Sequence, residues 1–368
     1  MNDQLFWIWL MSLNELSIKR KFKLLNYFEK PEHLYNANKK ELLASKALRE
    51  KDCQYIRSQQ HLYLADKAQN FMAKHQIDLI TLENSLYPEC LKNIYDPPVG
   101  FFTKGDTSLL NRDLHVGIVG SRKASPTGRR QAKIFAGTLA KCGVTVVSGL
   151  ADGIDSESHR ASLDKIGSTI AVMGTGINVC YPKNHQSLYK EIVKKGLIIT
   201  EFFMDEKPLK YHFPQRNRLI SGLSDGLLVV EARNKSGALI TANFALEQGK
   251  NVYAIPGDVS IFQSVGSNQL IKDGAKVVTE PKDILEDYID NLPEKKLDFQ
   301  NKLSLEAAIS GVTDPEERKI LNLIAGGHNT IDNLLLVSNK EIRELNAILS
   351  MMELNDLIKV DFGQIYIL

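Results

Sequence analysis

Apolar positions divide the chain into stretches of different period. Over the first eighty residues they recur at helical spacing, as in Phe22, Leu24, Leu25, Tyr27 and Phe28. That spacing predicts a small helical domain at residues 1–80. Further on, short β-branched runs alternate with helix-period stretches. Strands are predicted at His115–Val119, Thr145–Val147, Thr169–Met173, Leu197–Thr200, Gly226–Glu231, Asn251–Ile255 and Ala275–Val278. Helices are predicted between them, at 126–141, 155–165, 185–195, 214–223, 238–248 and 267–273. Such alternation implies a parallel sheet covered on both faces, a doubly wound α/β domain over residues 81–290. The polar stretch Asp290–Gln300 opens a linker over 291–314. Residues 315–368 hold three helical patterns and an alternating end. Asp314 is placed to cap a helix that begins with Pro315, and Asp361–Gln364 reads as a hairpin turn between Leu357–Val360 and Ile365–Leu368. Three helices and a small hairpin there resemble a winged helix.

Glycine sharpens these boundaries. The first glycine is Gly100, and 20 of the 24 fall between Gly100 and Gly274. Charge sharpens them again: the net +2 splits into +2 over residues 1–100, +8 over 101–250 and −8 over 251–368. The middle third is therefore where a polyanion belongs. Within it, Arg122, Lys123, Arg129, Arg130 and Lys133 follow one another with no acid among them. Cys53, Cys90, Cys142 and Cys180 are dispersed without a C-x-x-C pair, which argues against a zinc site or a disulfide scaffold and for the reducing cytoplasm. The early apolar run Leu5–Met11 is far short of the ~20 residues that span a bilayer, and no basic residue precedes it, so neither a membrane segment nor a secretory signal is expected.

In an open parallel sheet, ligands bind outside the carboxyl ends of the strands. Five strand-end loops carry candidate chemistry. In the first, Gly120, Ser121 and Arg122 precede a helix capped by Ser125 and started by Pro126. That helix N-terminus favours a phosphate, which Arg122 can grip with two parallel hydrogen bonds. The second runs from Ser148 through Asp152 to Asp155, with His159 a turn later. It reads either as a general acid–base pair or, as we favour, as structure, with Asp155 capping its helix and His159 packing locally. The third, after Gly174 and Gly176, brings Lys183 to a helix start, where a cation suits a nearby anion. In the fourth, Lys207, Lys210, Tyr211, Phe213, Arg216 and Arg218 interleave cations with aromatics. That mixture suits single-stranded nucleic acid, with phosphates meeting the cations and bases stacking on the rings. Phe213 precedes Pro214, which favours an extended conformation and an outward ring; a core role for the ring is the alternative. The fifth opens a helix at Ser236 and Gly237.

Several chemistries are missing from the sequence. There is no G-x-x-x-x-G-K-[ST] P-loop, no G-x-G-x-x-G dinucleotide turn, no H-E-x-x-H, no G-x-S-x-G elbow and no deaminase signature. No cofactor is expected.

Together these loops resemble the DNA-processing protein A (DprA, also called Smf) family of bacteria. The matching pieces run in order from Tyr87–Pro88 and Asp96–Pro98 through Gly120–Arg122, Ser148–Asp155 with His159, Gly174–Gly176 and Tyr181–Asn184. They continue with Phe213–Pro214, Arg216–Arg218, Ser236–Ala238, Pro256–Gly257, Gly266–Asn268 and Gly274–Ala275. The resemblance is strong over about 81–280 and loose at both ends. It implies a Rossmann-like central domain, a SAM-like helical domain before it and a winged-helix-like domain after it. It implies a cytoplasmic protein, not an enzyme, that binds single-stranded DNA without base specificity in natural transformation. There it would protect incoming strands and load the RecA recombinase for homologous recombination. A homodimer through the later part of the central domain is implied, with Ile261, Phe262, Val265, Leu270 and Ile271 available, and single-strand-binding protein is a further candidate partner. Carried over by motif, the DNA contacts are Arg122, Lys210, Phe213, Arg216 and Arg218, with Gly120, Ser121, Lys183 and Asn217 beside them.

The ends depart from that pattern. A DNA-binding hairpin normally wants a glycine, and residues 1–80 have none, so DNA binding is not expected there. Residues 315–368 carry −3, whereas a duplex reader should be basic, so protein contact and duplex binding both stay open. Two other functions share the expected fold. One is a nucleotide phosphoribohydrolase using Asp155, His159 and Glu201, although the glutamate of its P-G-G-x-G-T-x-x-E segment is missing here. The other is a nucleotide sensor.

Overall fold

The computed structural model describes residues 3–291, 312, 314–338, 340–355, 357–361 and 364–367. The chain divides into two units, Met1–Leu285 and Glu286–Leu368.

The first unit begins with six helices: α1 (Asp3–Ser12), α2 (Ile18–Phe28), α3 (Pro31–Asn36), α4 (Lys39–Ala44), α5 (Glu50–Ile56) and α6 (Gln59–His75). Helix α1 is apolar on all sides and buried from Leu5 to Ser12, as an inner helix must be. It packs on α3, α6 and the first strand. Its Ile8, Trp9 and Leu10 share one core with Phe102, Ala171 and Ile198 of the sheet. The helical segment is thus built directly onto one sheet face.

The sheet has nine strands: β1 (Asp78–Thr81), β2 (Gly100–Gly105), β3 (His115–Val119), β4 (Thr145–Ser148), β5 (Thr169–Val172), β6 (Leu197–Thr200), β7 (Gly226–Val229), β8 (Asn251–Ala254) and β9 (Lys276–Val277). Their spatial order is β1-β2-β6-β5-β4-β3-β7-β8-β9. From β6 to β9 every pairing is parallel, and the expected α/β doubly wound sheet is present. Two antiparallel strands, β1 and β2, extend it past β6; the sequence pattern did not flag either. Strands β3 to β7 are buried at every position, because helices cover both faces. Those helices are α7 (Glu89–Lys92), α8 (Pro126–Lys141), α9 (Ile154–Ser162), α10 (Gln186–Lys195), α11 (His212–Leu223), α12 (Gly237–Glu247), α13 (Val265–Lys272) and α14 (Lys282–Leu285). Leu219, Ile220 and Leu223 of α11 and Ala238, Ala242 and Ala245 of α12 join Val119, Val147, Ile170 and Val229 in the second core.

The expected linker over 291–314 lies, apart from residues 291, 312 and 314, outside the described residues. The second unit holds α15 (Pro315–Ala325), α16 (Ile331–Ser338), α17 (Ile342–Leu354) and the antiparallel pair β10 (Ile358–Asp361) and β11 (Gln364–Ile367). Asp314 caps α15, accepting from the backbone N–H of Glu316 and Glu317 at 2.7 and 3.1 Å. Thr330 adds a bridge to Gln364. Ile320, Leu334, Leu345, Leu349, Met352, Ile358 and Ile365 form this unit's own core. Of the expected turn, Phe362 and Gly363 lie outside the described residues.

Candidate functional site

From β3 the chain winds one way, through β4 and β5 to β6, and then returns to the other side of β3 as β7, β8 and β9. The order reverses between β3 and β7, and the loops leaving those strands part there. Such a switch point is where an α/β sheet opens a ligand crevice. The crevice in this chain is an open cleft of about 720 Å³.

One wall is the loop after β3. Gly120 is required there: a Cβ would lie 2.5 Å from Ile154 Cγ1 and 3.0 Å from the Glu231 carbonyl oxygen. Ser121 is buried and donates its N–H to that carbonyl at 2.7 Å. Arg122 is exposed, and its guanidinium carbon stands 5.1 Å from the centroid of the Phe213 ring, a cation–π distance. The Tyr181 ring lies 5.6 Å from Phe213 on a tilted plane. Arg122, Tyr181, Phe213 and Lys210 all line the cleft. Phe213 falls in the first turn of α11 rather than in extended chain; Pro214 beside it is tolerated because the first turn leaves its N–H positions unbonded anyway. The ring is half-buried, so it is neither a core anchor nor a free flag.

The phosphate expected at the start of α8 meets an obstacle. The Glu231 carboxylate already sits there: its Oε2 accepts the Ser125 N–H at 2.9 Å and would lie 2.8 Å from a Cβ on Gly128. Ser125 caps the helix by accepting from Gly128 N–H at 2.9 Å. An internal anion thus neutralises the helix dipole, and the anion-seeking groups are side chains instead.

The candidate arginines separate. Arg216 lines the cleft floor but is 4% exposed. Its guanidinium donates to the carbonyls of Gly149, at 2.7 Å, and Val172, and its Nε donates to Asn217 Oδ1 at 3.1 Å. Burial, with the charge of Arg122 adding and Asp155 opposing, brings it down to about 10. A Cβ on Gly149 would collide with it at 2.5 Å. Asn217, also buried, donates to the Gly237 carbonyl at 3.3 Å. Arg218 turns away from the cleft and pairs with Glu201 at 2.6 Å, both side chains 7% exposed. Lys183 is exposed in the turn before α10 and does not line the cleft.

Asp155 and His159 are both engaged with neighbouring groups of the protein. Asp155 lies inside α9, whose cap is Gly153. Its Oδ2 accepts from the N–H of Gly149 and Ala151 at 3.1 and 3.4 Å, so it caps the loop after β4 rather than the helix. His159 Nε2 accepts the Leu150 N–H at 3.2 Å, which leaves Nδ1–H to donate to Thr169 Oγ1 at 2.8 Å. Burial, then the Arg216 charge, pushes this imidazole down to about 3.

Arg233 was not singled out in the sequence, yet it lines the opposite wall. It leaves the end of β7, the same strand-end position that marked Arg122, so the signal was there. Its Nε is buried without a partner, as is Ser236 Oγ at the start of α12. Arg122, Lys210 and Arg233 carry no ion pair among the described residues, whereas Arg129 and Lys133 share Glu157 at 3.0 and 3.4 Å. Unpaired positive charge thus lines the cleft, while Glu157 claims two of the cations of α8.

Among known proteins, residues 78–289 match the model of the DNA recombination-mediator protein A family. The chain belongs to that family. It is 46% identical to Protein Smf of Escherichia coli over 209 residues, which span 56% of each chain. It is 41% identical to DNA processing protein DprA of Bacillus subtilis over 223 residues, 61% of this chain and 74% of that one. The X-ray structure of DNA processing protein A from Streptococcus pneumoniae superposes with a TM-score of 0.63 at 34% identity, covering 78% of this chain and 98% of that one. A structure of the Helicobacter pylori protein, described for its single-stranded DNA binding mode, gives 0.53 at 31% identity, covering 58% and 97%. Among the described residues no helix is long and apolar enough to cross a membrane.

Proposed function

We propose that this protein binds single-stranded DNA, without preference among bases, in the cleft between β3 and β7. Backbone phosphates meet Arg122, Lys210 and Arg233, and a base stacks on the Phe213–Tyr181 pair. The observation that carries this reading is the coincidence, at one switch point, of unpaired cations with a partly exposed ring pair; that is the composition of a sequence-tolerant strand site. The binding mode named for the Helicobacter pylori relative supports it. In the cell the protein would act in the cytoplasm as a homodimer, protecting incoming strands in natural transformation and delivering them to the RecA recombinase, with single-strand-binding protein as a further partner. We take it to be a binder rather than a catalyst, since Asp155, His159 and Glu201 are each engaged with the protein itself.

Fluorescence competition with dT, dA and dC homopolymers and with a duplex of equal length tests the reading. The three homopolymers should compete within a few-fold of one another and the duplex far less well. Lys210→Ala and Phe213→Ala should weaken all three alike. Binding confined to one base, or competition by a mononucleotide alone, would move the function to a nucleotide site.

A further inference from the structure

Arg233, which lines the cleft, lies against a second ring just outside it. Phe262 lies in the short turn Phe262–Ser264 before α13 and is 61% exposed. The guanidinium carbon of Arg233 stands 5.4 Å from its centroid. The loop that carries Phe262 is fastened to the β7 end, since Gly266 N–H donates to the Ala232 carbonyl at 2.7 Å and Asn268 exchanges two hydrogen bonds with Gly257, at 3.0 and 2.9 Å. The neighbouring Asp258 carboxylate is occupied by the Ser260 N–H and hydroxyl at 2.8 and 2.7 Å.

Both walls therefore share one device: a cleft-lining arginine without an ion pair, laid on a phenylalanine that the core does not absorb. Arg122 on Phe213 forms one copy and Arg233 on Phe262 the other. A guanidinium on one face of an exposed ring holds it out of the core and leaves the remaining face to stack, while the cation stays free for phosphate. We propose that Arg233 and Phe262 form a second base-stacking station, so that one DNA strand crosses the cleft from the Tyr181–Phe213–Arg122 wall to the Arg233–Phe262 wall. This rests on the function proposed above. It gives Phe262, otherwise available to a subunit contact, a role in the length of DNA the protein holds.

Phe262→Trp is the direct probe: the natural Trp7 and Trp9 are 6% and 1% exposed within α1 and contribute a constant emission, so a DNA-dependent change beyond that of the wild type reports the introduced indole. It is titrated with dT oligonucleotides of about 4 and about 16 nucleotides, beside Phe213→Trp and Phe262→Ala. The longer oligonucleotide should quench the indole at 262, and Phe262→Ala should weaken that oligonucleotide about tenfold while leaving the shorter one unchanged. The proposal is overturned if the longer oligonucleotide binds and quenches Phe213→Trp but not Phe262→Trp. It is equally overturned if Phe262→Ala changes the mass in solution and leaves DNA binding intact. Failure of the wild type to bind either oligonucleotide would sink the proposed function itself.

Discussion

Two groups of cations in the central sheet domain do opposite things. Arg216 and Arg218, on α11, point into the protein and meet carbonyls and the Glu201 carboxylate. Arg122 and Arg233, at the ends of β3 and β7, meet rings and carry no anion of the protein's own. Closeness to a cleft does not by itself leave a basic residue free for a ligand; an internal partner can claim it. The same distinction divides Arg122 from Arg129 and Lys133, which Glu157 claims, and it explains why the start of α8, already holding Glu231, is no phosphate seat.

The largest effect should come from breaking the inward pair. Arg218→Ala leaves Glu201 buried without its partner and should cost about 3–5 kcal/mol of stability, whereas the double change Arg218→Met, Glu201→Leu should recover most of it; urea unfolding measures both. Arg122→Ala removes no internal hydrogen bond, so the fold should melt unchanged while affinity for a dT oligonucleotide falls about tenfold, or ~1.4 kcal/mol.

A pH series separates the groups differently. His159 sits at about 3 in the folded protein, against ~6.5 in an unfolded chain. The unfolded state takes up a proton that the folded state refuses. The contribution is therefore complete above about pH 6.5, and this one group should withdraw about 2 kcal/mol by pH 5. Asp155, whose carboxyl burial raises, runs the other way; its contribution is present below the unfolded carboxylate range and lost above it. Denaturant midpoints of wild type and His159→Gln between about pH 7 and 5 should show the variant losing most of the slope. Least affected should be Lys183→Ala, exposed and outside the cleft, with a change in stability within about 0.5 kcal/mol and DNA affinity near that of wild type.

Much of this was legible. The seven parallel strands and the helices between them announce themselves because each is a short run rich in β-branched or apolar residues, fully buried from β3 to β7, or a helix-period stretch, in places with a start signal such as Ser125–Pro126. Strands β1 and β2 did not, because β2 pairs antiparallel with the open edge at β6 and β1 pairs antiparallel with β2, partners no local pattern names. At the site, Gly120, Ser121, Arg122, Lys210 and Phe213 were readable as strand-end and aromatic–basic signals. The inward turn of Arg218 was not, since it depends on Glu201, seventeen positions away. Nor was the seat of Glu231, whose sequence separation of 106 from Ser125 conceals a hydrogen bond.

The most direct test is the salt dependence of oligonucleotide binding, read by fluorescence anisotropy on wild type beside Arg122→Ala. If unpaired cations at this cleft hold the strand, the wild-type affinity falls steeply and linearly on logarithmic axes, and Arg122→Ala lowers the slope by about 0.7, one phosphate's share for a single strand. Salt-independent binding, or an Arg122→Ala variant with the wild-type slope and affinity, would contradict the account.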